Sequence, residues 1–528
     1  ENGANSSFIN RLLDPETDSR WLSENPYIRM KKEKKEIPLP KNIFGKRLNS
    51  TGIDISEKQN LENLSKKLKS FEGKNVDAHS IYLNRSDDSN EGVKVSSIAS
   101  GISIGSVKYD DPIKIKESLE NNHSNEWLET DVEIRSNILK NIADAIDKNP
   151  HELIFYLINE AGKTIQNAVD EIREAVDFLR YYSQEALKIF NNDELDGPTG
   201  EENKIIFGPK GRFLCISPWN FPVAILIGQI SAALVCGNKV IVKPSEHTPI
   251  LGFLVIKKFH EFGVPIDALE LILGDGIYGE LLTKINQIDG VAFTGSLLTA
   301  KKIQASLIEN QNKIIPLIAE TGGINTMIVD SSALLEQVTD DVIRSAFDSS
   351  GQRCSALRVL CIQEDIYDEL IEMIKGNMST QMIGDPNSFD TDIGPIINEK
   401  AIEKLNRYIA KCIERDFEVF QAIKTKSNKH VSPTLISIKK ITDIKDEQFG
   451  PILHVLKYSS SESDELINQI NKIGYGLTMG IHTRIESRAD YFGKKSKIGN
   501  IYINRDMVGA VVGSQPFGGV GLSGSGFK

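Results

Sequence analysis

Residues 212–243 read RFLCISPWNFPVAILIGQISAALVCGNKVIVK and predict the basic unit of the fold. Short apolar runs at Phe213–Ile216 and Val240–Val242 have the length of buried strands. Between them, Val223–Val235 has the length of a helix. A strand, a helix and a second strand in this order predict a βαβ unit of a parallel sheet.

The same alternation of strands and helices continues towards the C-terminus. We therefore expect an α/β protein with a doubly wound, Rossmann-type sheet within residues 86–319 and a second α/β region at 320–500. The further strand candidates are Leu269–Leu273, Val291–Phe293, Thr326–Val329, Val359–Ile362 and Ile452–Leu456, and the further helix candidate is Leu251–Phe262.

The segments that precede residue 212 have a different pattern. Residues 1–85 are polar and mixed, and their basic run KKEKKE is typical of a solvated linker. Thr130 with Glu133 fits a capping box for a helix that ends before Pro150. Residues 190–210 are rich in Asn, Gly, Pro and Glu and predict a projecting loop or hairpin.

Composition and charge argue against several classes of protein. Of the 528 residues, 40% are hydrophobic and 26% are charged, which is typical of a soluble globular chain. The formal net charge of -11 argues against nucleic acid or an anionic membrane as the main partner. The apolar run at 221–237 contains Gln229 and Ser231, so we expect a buried helix there rather than a membrane span.

The cysteines are sparse and do not form CxxC pairs. They are Cys215, Cys236, Cys354, Cys361 and Cys412. An odd number without motif spacing favours a reducing compartment, so we expect a cytoplasmic protein. The same spacing disfavours a disulfide framework or a zinc site, and we expect no metal.

One cysteine lies in a segment that suggests chemistry. Residues 349–357 read SSGQRCSAL and place Cys354 on a Gly- and Ser-rich turn between a helix and a strand. The thiolate is the reactive form of cysteine, and backbone N–H groups or Arg353 would lower the pKa of this thiol. The other four cysteines read as small core residues.

Two polar residues upstream complete a possible catalytic set with Cys354. Attack of a thiol on an aldehyde produces an oxyanion, and the side-chain amide of Asn220 with the Cys354 N–H would stabilise it. Hydride loss leaves a thioester, and Glu320 is suited to act as the general base for its hydrolysis. A cysteine hydrolase is the alternative; it requires a histidine base, and the eight histidines show no partner motif.

A dinucleotide site is indicated after two predicted strands. Residues 274–279 read GDGIYG and match a dinucleotide fingerprint, but this signal is weak and we do not assign it to the pyrophosphate. Gly295 and Ser296 follow a strand and precede a helix whose N-terminus would hold phosphate. Lys243 and Glu246 would hydrogen-bond the adenosine ribose, and the carboxylate favours NAD over NADP.

These segments together resemble the aldehyde dehydrogenase superfamily. The resemblance covers about 85–525 and rests on seven segments in the family's order: SPWNFP, VKPSEHTP, FTGS, AETGG, GQRCSA, EQFGPILHV and QPFGG. It implies a dinucleotide-binding domain at 86–319, a catalytic domain at 320–500 and a small β oligomerisation flap. It also implies Cys354 as nucleophile, Asn220 as oxyanion donor, Glu320 as base, and a homo-oligomer that is at least a dimer. Around the nicotinamide riboside it implies contacts from Trp219, Glu447 and Phe449.

Three longer segments are similar to one subfamily. They begin EAGKTIQ at 160, IVDSSAL at 328 and INRDMVG at 503. They look like the L-glutamate-γ-semialdehyde dehydrogenase half of bacterial bifunctional proline utilisation A. This resemblance implies oxidation of the open form of Δ1-pyrroline-5-carboxylate to glutamate, the second step of proline catabolism. It implies that residues 501–528 anchor the substrate and assist oligomerisation, with Ser355, Gly509 and Ala510 at the carboxylate and Phe517 on the aliphatic part.

The two ends of the chain carry further expectations. Residues 1–11 resemble the last part of a proline dehydrogenase barrel, so we expect a remnant of that barrel, no flavin and a possible separate proline dehydrogenase partner. The C-terminal GLSGSGFK has Phe527 where the family usually has Pro, and the family's tail does not follow. Two alternatives stay open: a dehydrogenase for another short carboxylated aldehyde such as succinate semialdehyde, and an inactive truncated scaffold.

Overall fold

The computed structural model of the chain describes residues 38–86, 91–122, 124, 126–191, 194–310, 312–423, 427–509 and 511–527, with Pro15, Asp18, Arg20 and Ser23. The chain divides into two compact units, Glu1–Asn49 and Ser50–Lys528. In the first unit a short 3₁₀ turn at Pro40–Asn42 precedes a bridge between Phe44 and Arg47. The barrel remnant that we predict at residues 1–11 lies outside the described residues.

The second unit contains every named strand of the described residues. In chain order they are β1 Val76–His79, β2 Val93–Ser96, β3 Ser103–Lys108, β4 Glu194–Leu195, β5 Asn203–Lys204, β6 Arg212–Ile216, β7 Lys239–Lys243, β8 Leu269–Leu271, β9 Gly290–Thr294, β10 Leu317–Glu320, β11 Asn325–Val329, β12 Leu357–Gln363, β13 Val419–Phe420, β14 Thr434–Ile438, β15 Ile452–Tyr458, β16 Tyr475–Gly476, β17 Thr478–His482, β18 Asn500–Ile503, β19 Gly518–Gly521 and β20 Gly526–Phe527.

Helices lie between these strands. In chain order they are α1 Lys58–Lys69, α2 Pro112–Glu120, α3 Glu126–Glu129, α4 Val132–Lys148, α5 His151–Asn159, α6 Ile165–Ile189, α7 Ala224–Val235, α8 Pro249–Glu261, α9 Gly276–Thr283, α10 Leu297–Asn310, α11 Leu335–Phe347, α12 Tyr367–Met378, α13 Glu399–Glu414, α14 Ser463–Lys472 and α15 Glu486–Lys495. None of those described is long and apolar enough to cross a membrane.

The first large sheet is five-stranded and parallel, with the order β10-β9-β6-β7-β8. The chain moves from β6 to β7 and β8 on one side, and then returns to β9 and β10 on the other. This is the doubly wound order, and ligands bind such sheets where the strand order reverses, beyond the carboxyl ends of the strands. That crevice lies between β6 and β9.

The second large sheet is seven-stranded, with the order β13-β14-β15-β12-β11-β17-β18. All its pairs are parallel except that of the edge strand β13. The residues of β11, β12 and β17 are buried throughout, which explains their nearly continuous apolar sequences. A parallel strand covered on both faces has no solvent side to alternate with.

Two local predictions of the N-terminal half can be compared with the structure. The predicted capping box at Thr130 is wrong, because Asp131 is the N-cap of α4 and its carboxylate accepts from the N–H of Glu133. The Thr130 hydroxyl instead donates to the carbonyl of Glu126 in α3. Within 190–210, strands β4 and β5 form an antiparallel pair. Beyond it, Ile206 is 77% exposed and Phe207 is 48% exposed.

Candidate active site

A cavity of about 290 Å³ brings together most of the catalytic and substrate residues that the sequence indicates. Its lining includes Cys354, Glu320, Ser355, Gly509 and Phe517. These residues come from the turn before β12, the carboxyl end of β10 and the segment after β18. The remaining lining residues are Glu174, Phe178, Tyr181, Tyr182, Phe221, Ile225, Thr294, Thr321, Arg353, Val512, Gly513, Gln515 and Pro516.

Cys354 lies on a tight turn that directly follows a 3₁₀ segment. Three consecutive residues there have left-handed backbones, with φ of 53° at Ser349, 57° at Ser350 and 65° at Gly351. Gly351 also approaches the backbone closely, since a Cβ there would lie 2.2 Å from the Gly450 carbonyl oxygen. Such conformations persist only where surrounding contacts hold them, and they concentrate at functional sites.

The cysteines differ in their access to solvent. Cys215, Cys361 and Cys412 are buried, whereas Cys354 and Cys236 are half-buried. Burial raises the pKa of Cys215 to about 12 and also raises the pKa of Cys361, so these thiols stay protonated at neutral pH. Cys354 alone among the five lines the large cavity.

Arg353 precedes the nucleophile candidate, but its charge is directed towards an ion pair. Its guanidinium donates to the Asp348 carboxylate over 2.7 Å and to Asn167 Oδ1 over 3.0 Å. A cation paired in this way stabilises a neighbouring thiolate less than an unpaired one does. The sequence-based suggestion that Arg353 lowers the pKa of the Cys354 thiol stays a prediction.

Asn220 lies on the loop that follows β6, outside the lining of the large cavity. Its Nδ2 donates to the carbonyl oxygen of Gln352 over 3.1 Å, which ties the loop to the turn that carries Cys354. A primary amide has two N–H donors. This hydrogen bond uses one of the two donors of the Asn220 amide.

Glu320 is the last residue of β10 and is 4% exposed. Its Oε1 accepts from the N–H of Gly519 over 3.4 Å, in the C-terminal segment. The same segment continues along β10, where the N–H of Ser525 donates to the Ala319 carbonyl. The carboxylate is therefore covered from the C-terminal side and faces the cavity that holds Cys354.

A buried ion pair supports the wall beside Asn220, and the sequence reasoning did not identify it. Lys163 Nζ lies 2.8 Å from the Glu171 carboxylate, with both side chains almost inaccessible to solvent. Glu171 accepts from the N–H groups of Val223 and Ala224 at the start of α7. Lys163 Nζ also lies 3.9 Å from the centroid of the Phe221 ring. The pair thus fixes the residue that follows Asn220.

Two residues of the predicted substrate anchor, Gly509 and Ser355, line the cavity. Gly509 has a φ of 64°, and its carbonyl accepts from the Tyr502 hydroxyl over 3.2 Å. Two residues earlier, the N–H of Met507 donates to Ser345 Oγ in α11 over 3.0 Å. Ser355 is buried beside Cys354. The other predicted anchor, Ala510, lies outside the described residues.

One face of α6 forms an aromatic wall with a single carboxylate. Phe178 and Tyr182 stack with centroids 5.9 Å apart and an interplanar angle of 8°. Tyr181 and the half-buried Glu174 line the cavity with them. Spacings of four, seven and eight residues place these side chains on one helical face. The sequence reasoning missed them, although this periodicity was the available signal.

The predicted dinucleotide residues lie at the carboxyl ends of β7 and β9. Lys243 ends β7 as a buried residue whose Nζ donates to the Pro244 carbonyl, and Glu246 follows it as an exposed carboxylate. Gly295 and Ser296 follow β9 at the start of α10, and Ser296 Oγ accepts from the N–H of Thr299. An exposed helix N-terminus at the switch crevice fits a dinucleotide phosphate.

The GDGIYG segment has a different local structure. It leads into α9, where the Asp275 carboxylate accepts from the N–H of Ile277 as the N-cap. A carboxylate already at this helix terminus opposes a phosphate there. This geometry supports leaving the segment out of the pyrophosphate site.

Trp219, Glu447 and Phe449 lie near one another, next to a buried arginine. The rings of Trp219 and Phe449 meet edge to face at 5.7 Å between centroids. Glu447 Oε1 lies 3.4 Å from a guanidinium nitrogen of Arg358. Burial raises the pKa of the Glu447 carboxyl, and the Arg358 charge opposes that rise. The sequence reasoning missed Arg358, an isolated charge in the apolar strand LRVLCIQ.

Comparison with known proteins is consistent with this geometry. The model of the aldehyde dehydrogenase family matches residues 85–528. The chain belongs to the aldehyde dehydrogenase family. The family match and the doubly wound sheet confirm the predicted α/β aldehyde dehydrogenase fold. Aldehyde dehydrogenases typically use NAD or NADP.

Similar proteins within the aldehyde dehydrogenase family include PutA and 1-pyrroline-5-carboxylate dehydrogenases. Bifunctional protein PutA of Escherichia coli (strain K12) is 41% identical over 553 aligned residues, which cover 100% of this chain and 41% of that protein. The 1-pyrroline-5-carboxylate dehydrogenase of Bacillus subtilis (strain 168) is 32% identical over 410 residues, covering 76% of this chain and 79% of that enzyme. A solved 1-pyrroline-5-carboxylate dehydrogenase structure gives a TM-score of 0.84 at 27% identity, covering 90% and 94% of the two chains. The chain is thus an aldehyde dehydrogenase homologous to 1-pyrroline-5-carboxylate dehydrogenases, and it spans less than half of the PutA relative.

Proposed function

We propose that the protein oxidises L-glutamate γ-semialdehyde, the open form of Δ1-pyrroline-5-carboxylate, to L-glutamate with NAD. The observation that carries this proposal is the shared cavity of about 290 Å³. It combines a half-buried thiol at Cys354, a carboxylate at Glu320, and the anchor positions Ser355 and Gly509. A nucleophile, a base and a carboxylate anchor in one cavity suit a short aldehyde that carries an α-carboxylate.

The first step is attack of the Cys354 thiolate on the aldehyde carbon. The C–S bond forms, the carbonyl π electrons move to oxygen, and a thiohemiacetal oxyanion results. The second N–H of the Asn220 amide and the backbone N–H of Cys354 stabilise this oxyanion. The hydrogen bond from Asn220 to Gln352 ties this amide to the turn that carries Cys354, which supports the role.

Residues around the nicotinamide orient the cofactor. Glu447 and Phe449 would hold the nicotinamide riboside, Trp219 would support Phe449, and Lys243 with Glu246 would bind the adenosine ribose. When bound, NAD supplies the acceptor for the hydride that leaves the former aldehyde carbon. The exposed Glu246 carboxylate disfavours a 2′-phosphate, so we expect NAD rather than NADP.

The last step is hydrolysis of the thioester. Glu320 takes a proton from water, the hydroxide oxygen attacks the acyl carbon, and the C–S bond breaks to release glutamate and the thiolate. Cover from the C-terminal segment keeps Glu320 away from bulk solvent.

Contacts at the substrate's other end would select the carboxylated amino aldehyde. The Ser355 hydroxyl and the loop N–H groups at Gly509 and Ala510 would bind the α-carboxylate, and Phe517 would pack on the aliphatic carbons. Glu174 would face the α-ammonium group from the aromatic wall. The substrate's carboxylate would thus meet hydrogen-bond donors, and its ammonium group would meet the Glu174 carboxylate.

The assembly of the protein belongs to the same proposal. Exposed apolar residues beyond β5, Ile206 and Phe207, suit a flap that packs on a second copy of the chain. All five cysteines lie among the described residues as thiols rather than disulfides, which is consistent with a reducing compartment such as the cytoplasm. A proline dehydrogenase would supply the substrate.

A substrate panel tests the proposal. We expect kcat/KM with NAD to be highest for glutamate semialdehyde, lower for succinate semialdehyde and lowest for propanal, with NADP a poor replacement. A preference for succinate semialdehyde would assign a different carboxylated aldehyde. Folded protein that forms no NADH with any aldehyde would favour the inactive scaffold.

A further inference from the structure

Arg358 is a fully buried arginine that joins three segments of the active site. It is 1% exposed and is the second residue of β12. One guanidinium nitrogen donates to the Gly450 carbonyl over 3.0 Å. The other donates to the Arg353 carbonyl over 3.0 Å and lies 3.4 Å from Glu447 Oε1. The side chain therefore contacts the residue before Cys354 and the loop of Glu447 at the same time.

The backbone of Arg358 is fixed as well. Its carbonyl accepts from His454 Nδ1 over 2.9 Å, and His454 Nε2 accepts from the Tyr408 hydroxyl over 2.8 Å. Burial lowers the pKa of His454 to about 4, so the imidazole is neutral at neutral pH and keeps these two roles. A guanidinium on such a fixed backbone has little freedom to leave its partners.

The Arg358 guanidinium also lies beside the Cys354 turn, because it donates to the carbonyl of Arg353, the residue before Cys354. Burial lowers the pKa of its guanidinium, while Glu447 and Cys354 act to raise it. Arg353, by contrast, pairs with Asp348 over 2.7 Å. Glu174, Tyr181, Tyr182 and Glu320 also line the cavity, and Tyr502 interacts with Cys354. Arg358 pairs with Glu447 over a longer distance, 3.4 Å, so more of its charge remains to favour a thiolate at Cys354.

We infer that Arg358 is a positioning residue that holds the Cys354 turn in register with the Glu447 loop and supplies the positive charge that favours the Cys354 thiolate. The inference rests on the proposed role of Cys354 as nucleophile. It assigns two separable properties to one side chain. The positive charge of Arg358 favours ionisation of the Cys354 thiol, and its planar guanidinium keeps the Cys354 turn aligned with the Glu447 loop. The two roles can be separated with lysine, which keeps the charge but cannot bind two carbonyls and a carboxylate in one plane.

Alkylation of Cys354 tests the charge without cofactor or substrate. The full chain is treated with iodoacetamide at a series of pH values, and the modified Cys354 peptide is quantified by mass spectrometry. In Arg358→Met we expect the midpoint of the rate profile to rise by about one pH unit, a roughly tenfold loss of thiolate below the midpoint. Arg358→Lys keeps the charge, so its midpoint stays near the wild-type value.

Two further variants keep the test decisive. Glu447→Gln removes the countercharge, so we expect its midpoint to fall, in the direction opposite to Arg358→Met. This variant also serves if Arg358→Met fails to fold. The matched control is Arg353→Met, where loss of an ion-paired cation moves the midpoint less. An unchanged midpoint in both folded Arg358→Met and Glu447→Gln would overturn the charge role.

The alignment role has its own readout. In Arg358→Lys we expect alkylation of Cys354 with the wild-type midpoint. We also expect a larger primary deuterium isotope effect on NADH formation from 1-deuterated aldehyde, because a misaligned hydride transfer becomes slower than the later steps. A merely structural arginine would lower the melting temperature and leave the isotope effect unchanged, which would overturn this role. If the alkylation shifts appear but Δ1-pyrroline-5-carboxylate gives no NADH, the proposed substrate fails and the charge role stands.

Discussion

The side-chain Nδ2 of Asn220 donates a hydrogen bond to the carbonyl oxygen of Gln352 over 3.1 Å. Asn220 follows a strand of the five-stranded sheet, and Gln352 lies just before the seven-stranded sheet's strand β12. This contact therefore sets the distance between the Asn220 amide and the turn that carries Cys354. Its loss would affect both the donor and the turn.

Removal of the Asn220 amide tests the oxyanion role. We expect Asn220→Ala to lower kcat by about 10²–10³, the usual effect of losing one oxyanion donor. The measurement is steady-state NADH formation, with the NAD dissociation constant as the control. A kcat within about twofold of wild type in folded protein would contradict the assignment.

Glu320→Gln tests the base. Hydrolysis of the thioester should slow by about 10²–10⁴, while attack and hydride loss continue. Stopped-flow absorbance should then show a burst of NADH equivalent to the active sites, followed by slow turnover. Trapped acyl-enzyme on the Cys354 peptide would confirm the species that accumulates. Absence of the burst, with steady turnover at the wild-type rate, would exclude Glu320 as the base.

Glu174→Gln tests recognition of the α-ammonium group. Loss of a charge-assisted contact of about 1.5–3 kcal/mol should raise KM for glutamate semialdehyde by roughly 10–100-fold. Succinate semialdehyde has no ammonium group, so its KM should change little. Glu185→Gln on the same helix, where Glu185 pairs with Lys188, is the matched control. Equal effects on both substrates would contradict this role.

Lys163→Met tests the buried pair with Glu171. Removal of one partner leaves an uncompensated buried carboxylate, and we expect a loss of about 3–5 kcal/mol in the free energy of unfolding. The double variant Lys163→Met with Glu171→Gln should recover part of this loss, since the amide oxygen still accepts from Val223. Urea denaturation measures both. A loss under about 1 kcal/mol in the single variant would argue against the pair as a structural support.

His454 predicts the pH dependence of stability on the acid side. Its pKa is lowered from 6.5 to about 4 by burial, so the unfolded chain binds this proton more readily than the folded chain. The contribution of His454 is therefore complete above pH 6.5 and is lost as the pH falls towards 4, at up to about 1.4 kcal/mol per pH unit. In His454→Gln, unfolding free energy should fall less between about pH 7 and about pH 5 than in wild type. Identical slopes in the two proteins would contradict this assignment.

The sequence was sufficient for the elements that alternate in a regular pattern. The strands on each side of Val223–Val235 are buried parallel strands, so their apolar runs were direct signals. Cys354 and Glu320 could be assigned to one site from the sequence because each lies on a short segment of unusual composition. The structure brings these two residues to one cavity.

The buried charges could not be predicted in the same way. Two partners of Arg358, Glu447 and Gly450, lie 89 and 92 residues away, and no local sequence period links them to it. Asp131 took the capping position predicted for Thr130 because a carboxylate one residue later is as good an N-cap. The partners of a buried charge, and the residue that caps a helix, depend on tertiary neighbours.

The most direct test of the central claim is NADH formation from Δ1-pyrroline-5-carboxylate and NAD, compared between wild type and Cys354→Ala. We predict an increase in NADH absorbance for wild type and none for the folded variant, with glutamate formed in equal amount. Wild-type protein that is folded and binds NAD but forms no NADH would contradict the proposed reaction. Equal rates in the two proteins would contradict Cys354 as the nucleophile.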